Sequence, residues 1–172
     1  MPAPALRPQT LEEIRATLEA HGCAPKKSLG QNFLIDRNLV SKLVDEAGVG
    51  EGDLVLEVGP GTGTLTGELL GRGCEVIACE LDDGLARANR ERFGGQAGFS
   101  LIHGDCLARK RSLAPEIVEA IGGRPFALVA NLPYQAATPL MLTLLGISIG
   151  LTLSLLGILA AAMAKTKAAG SI

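Results

Sequence analysis

Between Leu54 and Ala130 the chain repeats one unit: a short apolar run, a break marked by glycine or a polar residue, then a stretch with helical spacing. Leu54-Val-Leu-Glu-Val58 ends in Gly59-Pro-Gly-Thr-Gly63, and a helix carrying Leu65, Leu69 and Leu70 closes at Gly71 to Gly73. Glu75-Val-Ile-Ala-Cys79 ends at Glu80 and leads into a helical stretch from Asp83 to about Phe93. Phe99 to His103 ends at Gly104-Asp105, Leu113 to Ile121 is helical, and Phe126-Ala-Leu-Val-Ala130 runs into Asn131-Leu-Pro-Tyr134. Nearly all-apolar strands alternating with helices predict a parallel sheet covered on both faces. With right-handed crossovers it becomes a doubly wound α/β domain.

Two helices precede this core. Thr10-Leu-Glu-Glu13 has capping-box spacing, and Leu11, Ile14 and Leu18 recur at helical intervals until Gly22. A loop from Cys23 to Phe33 follows. Asp36 can then cap a helix bearing Leu39, Val40, Leu43, Val44 and Ala47, with Gly48 as its stop. High apolar content (47%) and a net charge of −2 exclude disorder for most of the chain. The same small net charge supplies no global field for nucleic acid, so any RNA contact must come from local patches. The cysteines at 23, 74, 79 and 106 form no CxxC pair and no zinc spacing, and the first residues lack a secretory apolar segment. Reduced thiols in a cytoplasmic protein, without a bound metal, are the expectation.

In a doubly wound sheet, ligands bind beyond the carboxyl ends of the strands. Here all four strand ends carry glycine or a polar signal. Glycines at 59, 61 and 63 permit a tight turn and close approach of a ligand to the backbone. Glu80 follows Gly59 at the distance where an acid holds the ribose hydroxyls of an adenosine-containing cofactor. A dinucleotide fingerprint beginning at Gly59 needs glycine at position 64, but Thr64 is there. Glu57 also suits a ligand with a positive amino group better than a pyrophosphate. The pattern therefore favours S-adenosylmethionine over a nicotinamide dinucleotide.

Asn131-Leu132-Pro133-Tyr134 carries the sharpest signal. An exocyclic base amine is a poor nucleophile, because its lone pair is delocalised into the ring. A side-chain amide oxygen and a backbone carbonyl can both accept its N–H groups and draw that lone pair towards a methyl donor. Pro133 fixes the backbone, and Tyr134, the chain's one tyrosine, offers a face for a flipped-out adenine. An isolated Asn-Pro turn has a plain structural explanation, but this one follows three other marked strand ends.

Ser28-Leu-Gly-Gln-Asn-Phe-Leu34, Glu57-Val-Gly-Pro-Gly61, Glu80-Leu-Asp82, Gly104-Asp105 and Asn131-Leu-Pro-Tyr134, in this order and spacing, resemble the ribosomal RNA adenine N6-dimethyltransferases. The resemblance runs from about Lys26 to Leu145 and is strongest to the 16S rRNA dimethyladenosine transferase branch. It implies a Rossmann-like class I S-adenosylmethionine-dependent methyltransferase fold. It further implies that Asn32 and Leu34 close over the cofactor, that Gly59 meets its methionyl end, and that Gly61 belongs to the same turn. Glu80 would hold the ribose, Asp105 the adenine amine, and Asn131 would lie between cofactor and target base. The implied reaction methylates the N6 amines of two adjacent adenosines near the 3′ end of small-subunit rRNA, during ribosome biogenesis. Lys26 and Lys27 near the entrance loop, and Arg109-Lys110-Arg111 after Asp105, could meet RNA phosphates or be solvated. His21 and His103 have no evident partner and read as structural, and Cys79 and Cys106 as small apolar fillers.

The end of the chain departs from the family pattern. No charged residue occurs from Pro125 to Ala164, so the 16 Lys and Arg and 18 Asp and Glu crowd onto the remaining 132 positions, about 26% of them. No aromatic residue follows Tyr134. The expected organisation is N-terminal helices and entrance loop over 1–48, methyltransferase core over 49–145, and an atypical apolar tail over 146–172. That tail reads as a membrane segment, as a shortened completion of the sheet, or as a truncated or frame-shifted end lacking the C-terminal helical domain. A monomer without a membrane partner is the expectation, able to bind S-adenosylmethionine but slow on small-subunit particles. The rival reading is a non-catalytic RNA-binding or ribosome-assembly factor that keeps the methyltransferase fold.

Overall fold

The computed structural model describes residues 9–23, 37–109, 112–130, 138 and 140. Helix α1 (Leu11–Ala20) begins with a complete capping box: Thr10 Oγ1 accepts from the Glu13 amide, and the Glu13 carboxylate accepts from the Thr10 amide. Helix α2 (Arg37–Ala47) leads to strand β1 (Leu54–Val58), helix α3 (Thr64–Gly71), strand β2 (Glu75–Glu80), helix α4 (Asp83–Phe93) and strand β3 (Phe99–His103). A small antiparallel pair, β4 (Leu107–Arg109) and β5 (Ser112–Leu113), then precedes helix α5 (Pro115–Ile121) and strand β6 (Ala127–Ala130).

The main sheet has the order β3-β2-β1-β6, all parallel. The chain steps outward from β1 to β3 and then returns to pair β6 with the other side of β1. The direction of winding therefore reverses between β1 and β6, which is where open α/β sheets bind ligands. Val58 pairs with Cys79 on one side and Ala130 on the other, so these strands end level with one another.

Alternation along β1 divides the core. Leu54, Leu56 and Val58 pack with Ile77, Cys79, Leu128 and the α5 residues Ile117 and Ile121. Val55 faces the opposite layer, with Val40 and Val44 of α2, Leu65 and Leu69 of α3, Val76 and Ala78 of β2, and Phe93 of α4. Helices cover both faces, as the apolar runs require. Each fully buried aliphatic side chain here contributes on the order of 1.5–3 kcal/mol of transfer free energy. Ile14 and Leu18 tie α1 to Leu85 of α4.

Several expectations need correction. β3 is an edge strand with Ser100 and His103 exposed, so it is not buried on both faces like β1 and β2. Leu113 lies in β5, and α5 starts only at Pro115, whose fixed φ suits a first helical position. The β4–β5 pair was not expected; three- and two-residue strands with an irregular register carry no usable periodicity. His21 has partners after all: its ring nitrogens lie 2.9 Å from the Thr17 carbonyl and 3.0 Å from Glu91 Oε2, joining α1 to α4. The entrance loop, the fourth strand's Asn131-Leu132-Pro133-Tyr134 and the 146–172 tail lie outside the described residues, as do Lys26, Lys27, Lys110 and Arg111. Among the described residues, no helix is long and apolar enough to cross a membrane.

Candidate active site

Gly59, Gly61 and Gly63 link β1 to α3, and their φ angles are +70°, +60° and +80°. All three occupy the left-handed region that side chains with a Cβ rarely adopt. At Gly63 space is equally decisive. A Cβ there would lie 2.5 Å from a Phe93 ring carbon and 2.6 Å from Asn89 Oδ1, well inside contact distance.

Glu80, the last residue of β2, is 5% exposed, and its carboxylate is divided between two backbone amides. Oε2 accepts from Gly61 N–H at 3.1 Å and Oε1 from Asp82 N–H at 2.9 Å. The side chain thus ties the glycine turn to the neighbouring strand end, and each oxygen retains lone-pair capacity for a hydroxyl donor. Burial pushes its carboxyl above the ordinary range, while the backbone amides of Asp82, Gly61 and Leu81 pull it back. Asp82 caps α4, accepting from the amides of Gly84 at 3.0 Å and Leu85 at 3.1 Å. Leu81, between the two acids, is 55% exposed.

Glu57 sits beneath the turn on the α3 side of β1, and only 1% of its surface is exposed. Its Oε2 accepts from Thr66 Oγ1 at 2.7 Å, while Oε1 has no hydrogen-bond partner among the described residues. Burial pushes this carboxyl up to about 8, against the Thr66 hydroxyl, with nearby Glu80 adding to the rise. The neutral acid is therefore the major form at pH 7. Sequence reasoning missed Thr66, whose place one helical turn beyond the glycines has no signature of its own.

Asp105 follows β3 and is exposed; its Oδ1 accepts from Leu107 N–H at 2.9 Å, closing the turn into β4. Gly59, Gly61, Glu80 and Asp105 thus come together at the carboxyl ends of three adjacent strands. Ala130 pairs with Val58 on the opposite side, and Asn131 is the next residue in the chain. Arg109 ends β4. Asn32, Leu34, Asn131, Leu132, Pro133 and Tyr134 are outside the described residues. Cys79 is buried with its thiol 3.4 Å from the Gly104 carbonyl, and burial pushes it up to about 12; Cys106 goes up to about 11 for the same reason. Neither thiol is a nucleophile at neutral pH.

A β3-β2-β1-β6 sheet with a glycine turn after β1 and an acid closing β2 has the Rossmann-like architecture of class I S-adenosylmethionine-dependent methyltransferases. Solved structures of that class superpose on it. The 23S rRNA methyltransferase ErmE matches with a TM-score of 0.57 and 30% identity, over 70% of this chain and 45% of that one. A dimethyladenosine transferase from Plasmodium falciparum gives a TM-score of 0.53 and 26% identity, over 67% and 38% of the two chains.

The sequence profile of the ribosomal RNA adenine dimethylase family matches residues 23–170, and the chain belongs to that family. Curated relatives include the ribosomal RNA small subunit methyltransferase A of Pelotomaculum thermopropionicum, 42% identical over 136 residues, which cover 77% of this chain and 46% of the relative. The protein of the same name from Moorella thermoacetica is 43% identical over 133 residues, 76% of this chain and 46% of that one. The chain therefore spans a little under half the length of these relatives.

Proposed function

We propose that this chain binds S-adenosylmethionine and directs its methyl groups to the N6 amines of two adjacent adenosines near the 3′ end of 16S rRNA, in ribosome biogenesis. The observation that carries the reading is the bridge from Glu80 to Gly61 N–H, which joins the glycine turn to the buried acid at the next strand end. Membership of the rRNA adenine dimethylase family supports it, and so do relatives named as small-subunit rRNA methyltransferases.

The described residues fit such a cofactor. Left-handed glycines leave three of the five turn positions without side chains, the Glu80 oxygens can accept further donors, and Glu57 Oε1 is a buried polar atom without a hydrogen-bond partner among the described residues. Gly59 and Gly61 would lie along the methionyl end, Glu80 would hold the ribose and Asp105 the adenine amine, with Asn32 and Leu34 closing from the entrance loop. Bound S-adenosylmethionine supplies an electrophilic methyl group on a sulfonium. The chain supplies position: the Asn131 amide oxygen and the Pro133 carbonyl accept the target's N–H groups, Leu132 and Pro133 hold that segment, and Tyr134 stacks the base. Orientation of this kind is the main source of rate when no strong acid or base is required. Lys26, Lys27, Arg109, Lys110 and Arg111 would meet RNA phosphates.

We assign residues 1–48 to the entrance, 49–145 to the methyltransferase core and 146–172 to an apolar tail. The working form is a cytoplasmic monomer whose partner is the small-subunit rRNA, with no metal. The test is incubation of undermethylated small-subunit particles with methyl-labelled S-adenosylmethionine, followed by mass spectrometry of the digested rRNA. The reading predicts N6,N6-dimethyladenosine at two adjacent sites, abolished by Asn131→Ala with RNA binding retained. RNA binding without any methylation by the parent chain would favour the assembly-factor alternative.

A further inference from the structure

Three glycines with positive φ make the β1–α3 turn approachable, and they also give it backbone freedom to lose on ordering. A turn of this kind binds weakly if its shape is set only when the ligand arrives, because the ordering cost is then subtracted from binding. The structure supplies a restraint from outside the turn, and it comes from α4.

Asn89 is 1% exposed on α4. Its Nδ2 donates to the Gly61 carbonyl at 2.7 Å and to the Leu85 carbonyl at 2.8 Å. Two carbonyls on the same side fix which amide atom is nitrogen, since the flipped amide would set oxygen against oxygen. Among the described residues, the buried Asn89 Oδ1 has no hydrogen-bond partner, and it lies next to the place where Gly63 lacks a Cβ. One helical turn along, Arg92 Nη1 donates to the Thr62 carbonyl at 3.1 Å and to the Gly63 carbonyl at 3.4 Å. The Arg92 guanidinium also lies 4.7 Å from the centre of the Phe93 ring, which limits its wandering. Three successive carbonyls, those of Gly61, Thr62 and Gly63, are thus held by two side chains of one helix. Gly61 is gripped from both sides, its N–H by Glu80 and its carbonyl by Asn89.

We propose that Asn89 and Arg92 are positioning residues for cofactor binding: they hold the glycine turn by its carbonyls, so that it is shaped before the cofactor arrives. Both belong to the helix that follows Glu80, so one β2–α4 unit carries the ribose-holding acid and the clamp on the turn. This inference rests on the reading of the turn as the S-adenosylmethionine site.

The test uses the full chain and three variants: Asn89→Asp, the same shape without the amide donor, Arg92→Met, which keeps the stem, and Arg92→Lys, which keeps the charge. S-adenosylmethionine affinity is measured by calorimetry, thermal midpoints are recorded, and amide exchange at Thr62 to Thr64 is followed without ligand. The proposal expects the folded Asn89→Asp variant to lose about tenfold in affinity and Arg92→Met about threefold, with Arg92→Lys recovering most of that loss. Amide exchange at the turn should rise in the variants without ligand and fall again on saturation. Affinity that is unchanged once corrected for the folded fraction, with only a lower midpoint, would mean that the two side chains serve stability alone, and overturns the proposal. Should Asn89→Asp fail to fold, the Arg92→Met and Arg92→Lys pair decides, since Arg92 is only half-buried. A folded parent chain that binds no S-adenosylmethionine overturns the cofactor reading and this inference together, whereas unchanged binding in the variants overturns this inference alone.

Discussion

The carboxyl ends of β1 and β2 and the carboxyl end of β3 lie side by side, yet they are built in opposite ways. At the first two, Glu57 and Glu80 are 1% and 5% exposed, and Glu80 commits both oxygens to backbone amides. At the third, His103 and Asp105 are exposed, and Asp105 commits one oxygen to its own turn. Burial makes a polar group costly unless its partners are fixed, so the first region has one arrangement available to it. The exposed region keeps water as an alternative partner. A rigid turn beside an adaptable edge suits a ligand gripped firmly at one end and compared at the other.

That contrast can be broken most severely at Gly63. Gly63→Val would meet Phe93 and Asn89 while forcing a left-handed β-branched residue, at a cost of about 3 kcal/mol or more. A fall in the thermal midpoint of roughly 10 °C is expected by calorimetry.

Glu57 tests the buried side through pH. Its carboxyl is raised from 4.5 to about 8 in the fold. The folded state therefore holds a proton that the unfolded state releases, and the stabilisation present below pH 4.5 is lost as pH rises towards 8. The expected slope is on the order of 1 kcal/mol per pH unit between those limits, levelling off above them. Glu57→Gln removes the titration, so chemical denaturation of this variant should show a much flatter profile from pH 5 to pH 8. Parallel profiles would mean that the carboxyl is ionised in the fold.

Packing gives a smaller pair of effects. Ala78→Leu in β2, where Ala78 is fully buried, should cost about 1–3 kcal/mol by overpacking. Ser100→Thr on β3 should stay within about 0.5 kcal/mol in the same denaturation measurement. Asp105→Ala completes the series on binding: loss of an exposed acceptor should cost about threefold in S-adenosylmethionine affinity, with stability lowered by no more than about 1 kcal/mol for the lost Leu107 N–H bond.

The sheet and the strand ends that carry the candidate site were legible because buried parallel strands are written as unbroken apolar runs. The apolar runs Leu54–Val58 and Val76–Cys79 stop where the glycine turn and Glu80 start. The glycines at 59, 61 and 63 announced a turn, and positive φ at all three explains why no other residue stands there. What escaped notice depends on contacts between distant positions. Thr66 meets Glu57 across a strand–helix gap, and Asn89 reaches Gly61 from 28 positions away. Neither residue type is unusual in a helix, and neither spacing belongs to a repeating pattern. The β4–β5 pair was hidden for another reason: strands of three and two residues are too short for alternation to appear. The sequence marks Glu57 only as an acid before the glycine turn; its burial against Thr66 and its raised proton affinity follow from the packed layer above β1.

Titration calorimetry of S-adenosylmethionine into the folded parent chain and into Glu80→Ala tests most directly the claim that the ends of β1 and β2 form the cofactor site. The account predicts one-to-one binding by the parent with a dissociation constant on the order of micromolar, at least tenfold weaker binding by Glu80→Ala, and no heat with a nicotinamide dinucleotide. Equal affinity in the two chains, or binding of the dinucleotide in place of S-adenosylmethionine, would contradict it.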